Sequence, residues 1–513
     1  MIPTYHHSSP LLAPALSEND LQKAILREIR RYSAASVVDA ALRLLWAEYP
    51  NRLEALQTAP WHILLLVKWA LRDPQVRLRI GRRITPQEFD NLRRGVQELV
   101  GSEYREHPPQ NLHLMMRSHF QQFDFQRPEG WGVFRWPALI ARESRSKPSQ
   151  RQFLEYLGLP PEHFMDLAFG ALAAGMSRAF PLSPNWFAQL RPAYGASIDA
   201  FWNLVARDLP GLRADLLREG QMQQLPLRQE LYEAPYLKRY PLFKMRNGHY
   251  GTWHPLLLAR SLEEIVHLKL TPLQGGYTEP FSRLFEQYVW QLAQTMSSNT
   301  IIEDEYCKIE GERAPVVEAI IPCGECNVFV EAKMALFGDD VLLTDNEMQA
   351  YQKTKRVRDG IKQAWKVGKS VRLPASRFSQ CTRAAEDFLL VVTSRELFLG
   401  DGQKLLRLYP ADKFNYPDEE CRSNMPLHNV FILSVETYER LSVAVASGAV
   451  VLPLLLKEAV SKNKDPSTSA ILFEDFFGKY VKSWGMTELL DSARKESQRR
   501  LAHAFGTSED FFG

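Results

Sequence analysis

Residues 315–333, PVVEAIIPCGECNVFVEAK, constrain the fold of this chain more than any other stretch. Two apolar runs, PVVEAII and NVFVEAK, flank a short turn that contains Gly324. A turn centred on Gly324 and Glu325 sets the register by counting: Cys323 faces Cys326, Ile320 faces Phe329, and Glu318 faces Glu331. Side chains alternate along a strand, so Lys333 shares a face with Glu331. The expected result is two carboxylates about 5 Å apart at Cβ with an ammonium beside them. Like charges directly opposite destabilise a purely structural hairpin. A divalent cation is the natural compensation.

Composition sets only loose bounds on the remainder. The 513 residues allow several domains. Hydrophobic residues at 45% and charged residues at 24% describe a soluble globular chain. A formal net charge of +3 is too mild to require a nucleic-acid partner, so any basic surface must be local. Five cysteines, an odd number confined to the second half, and no secretory signal at the start favour a reducing cytoplasm. The apolar runs Trp61–Leu71 and Val450–Leu456 are too short to span a bilayer.

Residues 1–230 read as a helical N-terminal domain. Ser17 caps a helix whose apolar stripe is Leu21, Ile25 and Ile29. Thr85 to Glu88 form a capping box with Pro86 at the first helical position. Just before it, Arg77, Arg79, Arg82 and Arg83 read as a solvated loop in preference to a phosphate contact. Residues 231–274 link this domain onward through a hairpin at Asn247-Gly248 and an amphipathic segment. From 275 to 445 the order is α-β-β-β-α-β. A helix over 279–296, capped at Thr278, precedes strands over 301–309, 314–322 and 326–334. A helix over 345–366 carries Lys353, Lys355, Arg356, Arg358, Lys362 and Lys366. Strands over 387–394 and 428–434 follow, and residues 446–513 read as a helical tail.

The acid on one strand and Glu331-Ala332-Lys333 on the next resemble the PD-(D/E)XK nuclease superfamily, the restriction-endonuclease-like fold. Glu318 stands where that family usually has aspartate, and Pro315 is followed by Val316 rather than by an acid. The resemblance implies an α/β nuclease core (αβββαβ) between a mainly α-helical N-terminal domain and a helical tail. It implies Mg²⁺ or Mn²⁺ held by Glu318, Glu331, the Ala332 carbonyl and Glu286 of LFEQYV, with Lys333 positioning the attacking water. Glu279 is better explained as a charge at a helix N-terminus. Gln349, Gln352 and Gln363 are candidates for a further polar residue on the helix after the motif. The implied activity is that of a metal-dependent endodeoxyribonuclease in a prokaryotic defence or restriction system. The alternative is a catalytically inactive DNA-binding or scaffold subunit, and RNA stays open as a substrate. The partners implied are DNA and no membrane, with room for an operon-encoded protein such as an ATPase and for a homo-oligomer.

Two other motifs are set aside. Cys323-Gly-Glu-Cys326 lacks the second ligand pair of a zinc knuckle and reads as a turn flanked by two reduced thiols. Gly368-Lys369-Ser370 lacks the glycine that a P-loop needs at position 363, where Gln363 stands.

Overall fold

The computed structural model describes residues 17–506 apart from 107–124, 126–129, 144–146, 223–226, 234, 274, 312–314, 335–343, 345, 374–377, 379–380, 382–385, 411–412 and 482–484. The protein is mostly helical, with two small sheets. None of the described helices is long and apolar enough to cross a membrane.

The chain divides into two compact units, one formed by Met1–Asn111, Asp208–Leu231 and Pro235–Leu237, and the other by the remainder. In the first unit, helices Glu18–Ile29, Ala34–Leu45, Pro60–Arg72 and Pro86–Glu106 enclose Ile29, Val37, Ile63, Val67 and Val96. Ser17 caps the first helix and the stripe Leu21, Ile25 and Ile29 is buried, as their spacing predicts. Helix Leu209–Met222 belongs to this unit, and Glu230 accepts from Lys68 at 2.9 Å and from Arg72.

In the second unit the helices between residues 131 and 205 share one hydrophobic core with the main sheet. A single cut at residue 230 is therefore not where the packing divides. Helix Pro255–Leu270, a linking segment by its sequence, lies inside this core. It buries Leu258, Leu262, Ile265 and Val266, together with Arg260 and Glu263 as an ion pair. Its polar residues thus divide between this buried ion pair and the partly exposed Glu264, His267 and Lys269.

The main sheet is built after α1 (Gly275–Met296). It orders β1 (Ile301–Ile302), β2 (Ala319–Pro322), β3 (Asn327–Lys333), β4 (Phe388–Thr393) and β5 (Val430–Ser434) side by side. The first three run antiparallel, each to its neighbour; β3, β4 and β5 are parallel. Parallel strands require a crossover. Between β3 and β4, α3 (Glu347–Lys353) and α4 (Lys355–Val371) supply it. Alternation along the strands serves two cores. Val328, Val330 and Ala332 face α1 and α5 (Val435–Ala446), whereas Phe329, Leu389 and Val391 face Val357, Ile361 and Trp365 of α4.

Several elements depart from their sequence reading. The strand expected over 301–309 stops at Ile302, and Glu303–Glu310 form a short helix, α2. Glu303, Asp304 and Glu305 fill its first turn, where negative charge is favoured by the helix dipole. Thr278 is not a cap. Helix α1 begins at Gly275, because buried Tyr277 shares a hydrogen bond with His267 and stacks on Phe281. The helix expected over 345–366 breaks at Thr354 and runs on to Val371. Ala314 and Asp345, expected ends of a strand and a helix, lie outside the described residues.

Candidate functional site

The hairpin takes the register that the turn dictates. Ile320 pairs with Phe329 and Pro322 with Asn327, while the Cys323 N–H donates to the Cys326 carbonyl at 2.9 Å. Gly324 sits in the left-handed region at φ +78°, which the tight turn needs. Glu318 falls one residue outside the ladder, whose last pair on that side is Ala319 with Val330. Two bonds hold it there instead. Its carbonyl accepts from the Glu303 N–H at 3.2 Å, and its Oε2 accepts from the Ala332 N–H at 2.5 Å. A residue in an extended strand directs its N–H and C=O to the same side. The Ala332 carbonyl therefore leaves β3 on the Glu318 side.

Glu331 lies on β3 and is fully buried; Glu318 is 7% exposed. The Lys333 ammonium pairs with Glu331 Oε1. Apart from the neighbouring Glu318 carboxyl, Glu331 Oε2 has no hydrogen-bond donor among the described residues. Helix α4 crosses above this cluster at Gly360. A methyl group there would stand 2.9 Å from Glu331 Cγ and 3.1 Å from Lys333 Cε. Glycine interrupts helices at a cost, and here its absent side chain is the space that the acid and the lysine occupy.

The electrostatics follow from two acids and one cation in a dry place. Burial pushes Glu318 well above the usual carboxylate range, the charge of Glu331 adds to this, and Lys333 and the Ala332 amide oppose it. Burial pushes Glu331 up to about 7 against the pull of Lys333 and of a hydrogen bond with the Glu318 carboxyl, and Glu286 pushes it further. Lys333 is raised: burial works against its charge, and Glu331 and Glu318 overcome that. The lysine is therefore an ammonium. The two carboxyls titrate as a pair, and neither retains a full charge easily at neutral pH without more positive charge.

The other residues expected at the site divide. Glu286, on α1, is half-buried, accepts from Ser282 at 3.0 Å, and is close enough to shift both Glu331 and Glu303 upward. Glu279 instead pairs on the surface with Arg283. Gln349 is exposed and occupied locally: its Oε1 accepts from Thr344 and its N–H donates to Asn346. The Oε1 bond ties the side chain to Thr344, just before its own helix. Gln363 lies one turn from Gly360 on α4, on the neighbouring face. Arg356, one turn to the other side, donates to the Met334 carbonyl at 3.0 Å. Of the cations on this helix, Arg358 does not reach solvent. It is buried, sits 3.4 Å from the centre of the Tyr351 ring, and donates to the Tyr351 carbonyl.

Three residues near the pair escape a reading of the sequence. Glu303 hides in the expected first strand; it is half-buried, with its carboxyl raised by burial and by Glu286. Gly360 carries a signal in being a glycine inside a cation-rich helix, a signal it shares with Gly368 on the same helix. Tyr438 of α5 is fully buried, its hydroxyl has no hydrogen-bond partner among the described residues, and burial, then Glu318, raises it. Nothing in its sequence surroundings marks it.

Among the described residues, no three His, Cys, Asp or Glu side chains stand ready-made around a cation. The donor set is nonetheless of the kind that hard divalent cations take: carboxylate and carbonyl oxygens. Glu331 Oε2, left with no partner but the Glu318 carboxyl, and the excess of acid over base fit an added positive charge. Cys323 and Cys326 are reduced and, among the described residues, join no cluster of metal ligands. The chain matches no protein-family model, no curated protein and no solved structure.

Proposed function

We propose that residues 275–445 form a PD-(D/E)XK-type core that hydrolyses DNA phosphodiester bonds with Mg²⁺ or Mn²⁺, as an endonuclease of a prokaryotic defence or restriction system. The observation that carries this reading is the fully buried Glu331, tied to Lys333 on one oxygen and left on the other with no partner but the Glu318 carboxyl, which is itself anchored on the Ala332 amide. The strand order, antiparallel through β1, β2 and β3 and then parallel through β4 with a helical crossover, supports it.

Glu318, Glu331, the Ala332 carbonyl and, from α1, Glu286 would hold the cation. When bound, such a cation supplies Lewis acidity toward a phosphate oxygen and lowers the pKa of coordinated water. The chain's own groups do the rest. Lys333 remains protonated, so its Nζ serves as a hydrogen-bond donor that orients water and offsets phosphate charge. Gly360 lets α4 close over the pair and exclude bulk water, which strengthens each of these interactions. Glu303 and Glu286 line the acidic approach to Lys333.

The second reading, a catalytically inactive DNA-binding subunit, is favoured by one observation: Lys333 already gives the Glu331 carboxylate a positive partner in the absence of any cation. Plasmid nicking by the purified protein with Mg²⁺, with Lys333→Ala as control, separates the two. Metal-dependent nicking lost in the variant supports the nuclease. DNA binding without nicking by the wild-type chain supports the inactive subunit. A parallel assay with RNA assigns the substrate.

A further inference from the structure

The loop from Arg77 to Arg83 in the first unit carries four arginines in seven residues, RLRIGRR. Its two ends are fixed. Val76 is fully buried and Ile84 is 9% exposed, so both anchor in the helical core. Between them Ile80 is 68% exposed, among the most exposed large apolar side chains of the described residues.

The backbone between the anchors is held against the start of helix Ala34–Leu45. The Ser33, Ala34 and Ala35 N–H groups donate to the carbonyls of Arg82, Arg77 and Leu78 at 3.2, 3.0 and 2.9 Å. The loop thus satisfies amide groups that a helix N-terminus leaves open. Gly81, at φ +139°, lies so close to this turn that an added methyl would come within 3.0 Å of the Ser33 nitrogen. Asp73 at the base caps the Gln75 N–H and pairs with Arg30. Arg82 is committed: it pairs with Glu88 at 2.6 Å and lies 4.8 Å from the centre of the Tyr32 ring. Arg77, Arg79 and Arg83 are exposed and have no ion pair among the described residues.

A pinned loop that holds three uncommitted guanidinium groups around an exposed isoleucine concentrates positive charge at one fixed place, which a polyanion complements. Hydrophobic side chains on such loops act as wedges between base steps, while flanking arginines read the narrow, negative minor groove. One isoleucine offers too little apolar area for stable insertion into a bilayer. We propose that this loop docks duplex DNA from the minor-groove side, with Arg77, Arg79 and Arg83 on phosphates or groove edges and Ile80 wedged at a base step. The choice of DNA rests on the nuclease reading above; the loop geometry is independent of it.

The test uses the full chain and a labelled duplex carrying 2-aminopurine, without divalent cation so that binding is read apart from cleavage. The triple change of Arg77, Arg79 and Arg83 to Gln should reduce the slope of log affinity against log salt by about 2–3, at roughly 0.9 for each phosphate left without its arginine. Ile80→Ser should remove the 2-aminopurine unstacking signal and leave the salt slope unchanged. All side chains altered are exposed, and unchanged melting curves would check that the fold is intact. Wild-type salt slope in the triple variant, or unstacking that survives Ile80→Ser, overturns the proposal. So does capture of the wild-type loop by anionic phosphatidylserine vesicles in preference to duplex. Nicking measured separately with Mg²⁺ distinguishes the failures: an unaffected binding slope with active nicking sinks only the loop, and loop-dependent binding without nicking sinks only the nuclease.

Discussion

Gly360 lies over Glu331 so closely that a single added methyl would stand 2.9 Å from its Cγ. The close approach ties the crossover helix to the acidic pair, and it makes Gly360→Ala an informative change. Alanine favours the helix by about 1 kcal/mol, yet overpacking a buried contact costs about 1–3 kcal/mol. The expected outcome is a net loss of stability in urea denaturation, together with loss of nicking. A variant at least as stable as the wild type would mean that α4 is not seated on the pair.

The two sides of the ion pair should respond oppositely when metal is absent. Glu331→Gln removes a buried charge from beside Glu318 and should raise the melting temperature. Lys333→Ala leaves two buried acids without a cation and should lower stability, by about 3–5 kcal/mol. Both should abolish cleavage. Mg²⁺ should restore part of the stability of Lys333→Ala by mass action. Equal shifts with cleavage intact would make this hairpin purely structural.

The pH dependence has a definite sign. Glu331 is pushed up to about 7, above an unfolded value near 4.5. Between those values the folded state holds more protons than the unfolded state, so stability falls as pH rises. Above about 7 this contribution levels off. The loss is on the order of 3 kcal/mol across the window. Urea denaturation without divalent cations, from pH 4.5 to 8, should show that decline in the wild type and a shallower one in Glu331→Gln, where only Glu318, itself raised by burial, still gives up a proton. Mg²⁺ should flatten the upper part of the wild-type curve.

The cations of α3 and α4 do not act alike. Lys353, Lys355 and Lys366 are exposed; neutralising these three should lower the salt slope of DNA binding. Arg358→Ala should leave that slope alone and destabilise the fold, because the guanidinium packs on Tyr351. Fluorescence anisotropy over a salt series, beside thermal melting, checks both.

A buried network away from the acidic pair sets a separate expectation. Arg135 pairs with Glu439 at 2.7 Å and with Glu263, all three nearly inaccessible to solvent. Arg135→Leu should cost about 3–5 kcal/mol in chemical denaturation, since it strands buried carboxylates. Loss below about 1 kcal/mol, the range of an exposed pair, would show that water enters this region freely.

The local sequence determined the hairpin. A two-residue turn at Gly324 and strict alternation were enough to place Ile320 opposite Phe329 and to put Glu331 and Lys333 on one face. Strands over 387–394 and 428–434 were legible as apolar runs bounded by polar residues, and the tail as helical periodicity. Tertiary structure decided the rest. Ile301 and Ile302 pair with β2, but three successive acids then favour a helix start over a strand, which alternation alone does not reveal. Glu318 leaves the ladder because the backbone amide of Ala332, on the neighbouring strand, takes its carboxylate. Gly360, Glu303 and Tyr438 come to the pair from three separate helices, and no spacing rule within one element could have joined them. Burial itself, which moves Glu331 toward neutrality, depends on helices packed across both faces of the sheet, and no local pattern encodes that depth.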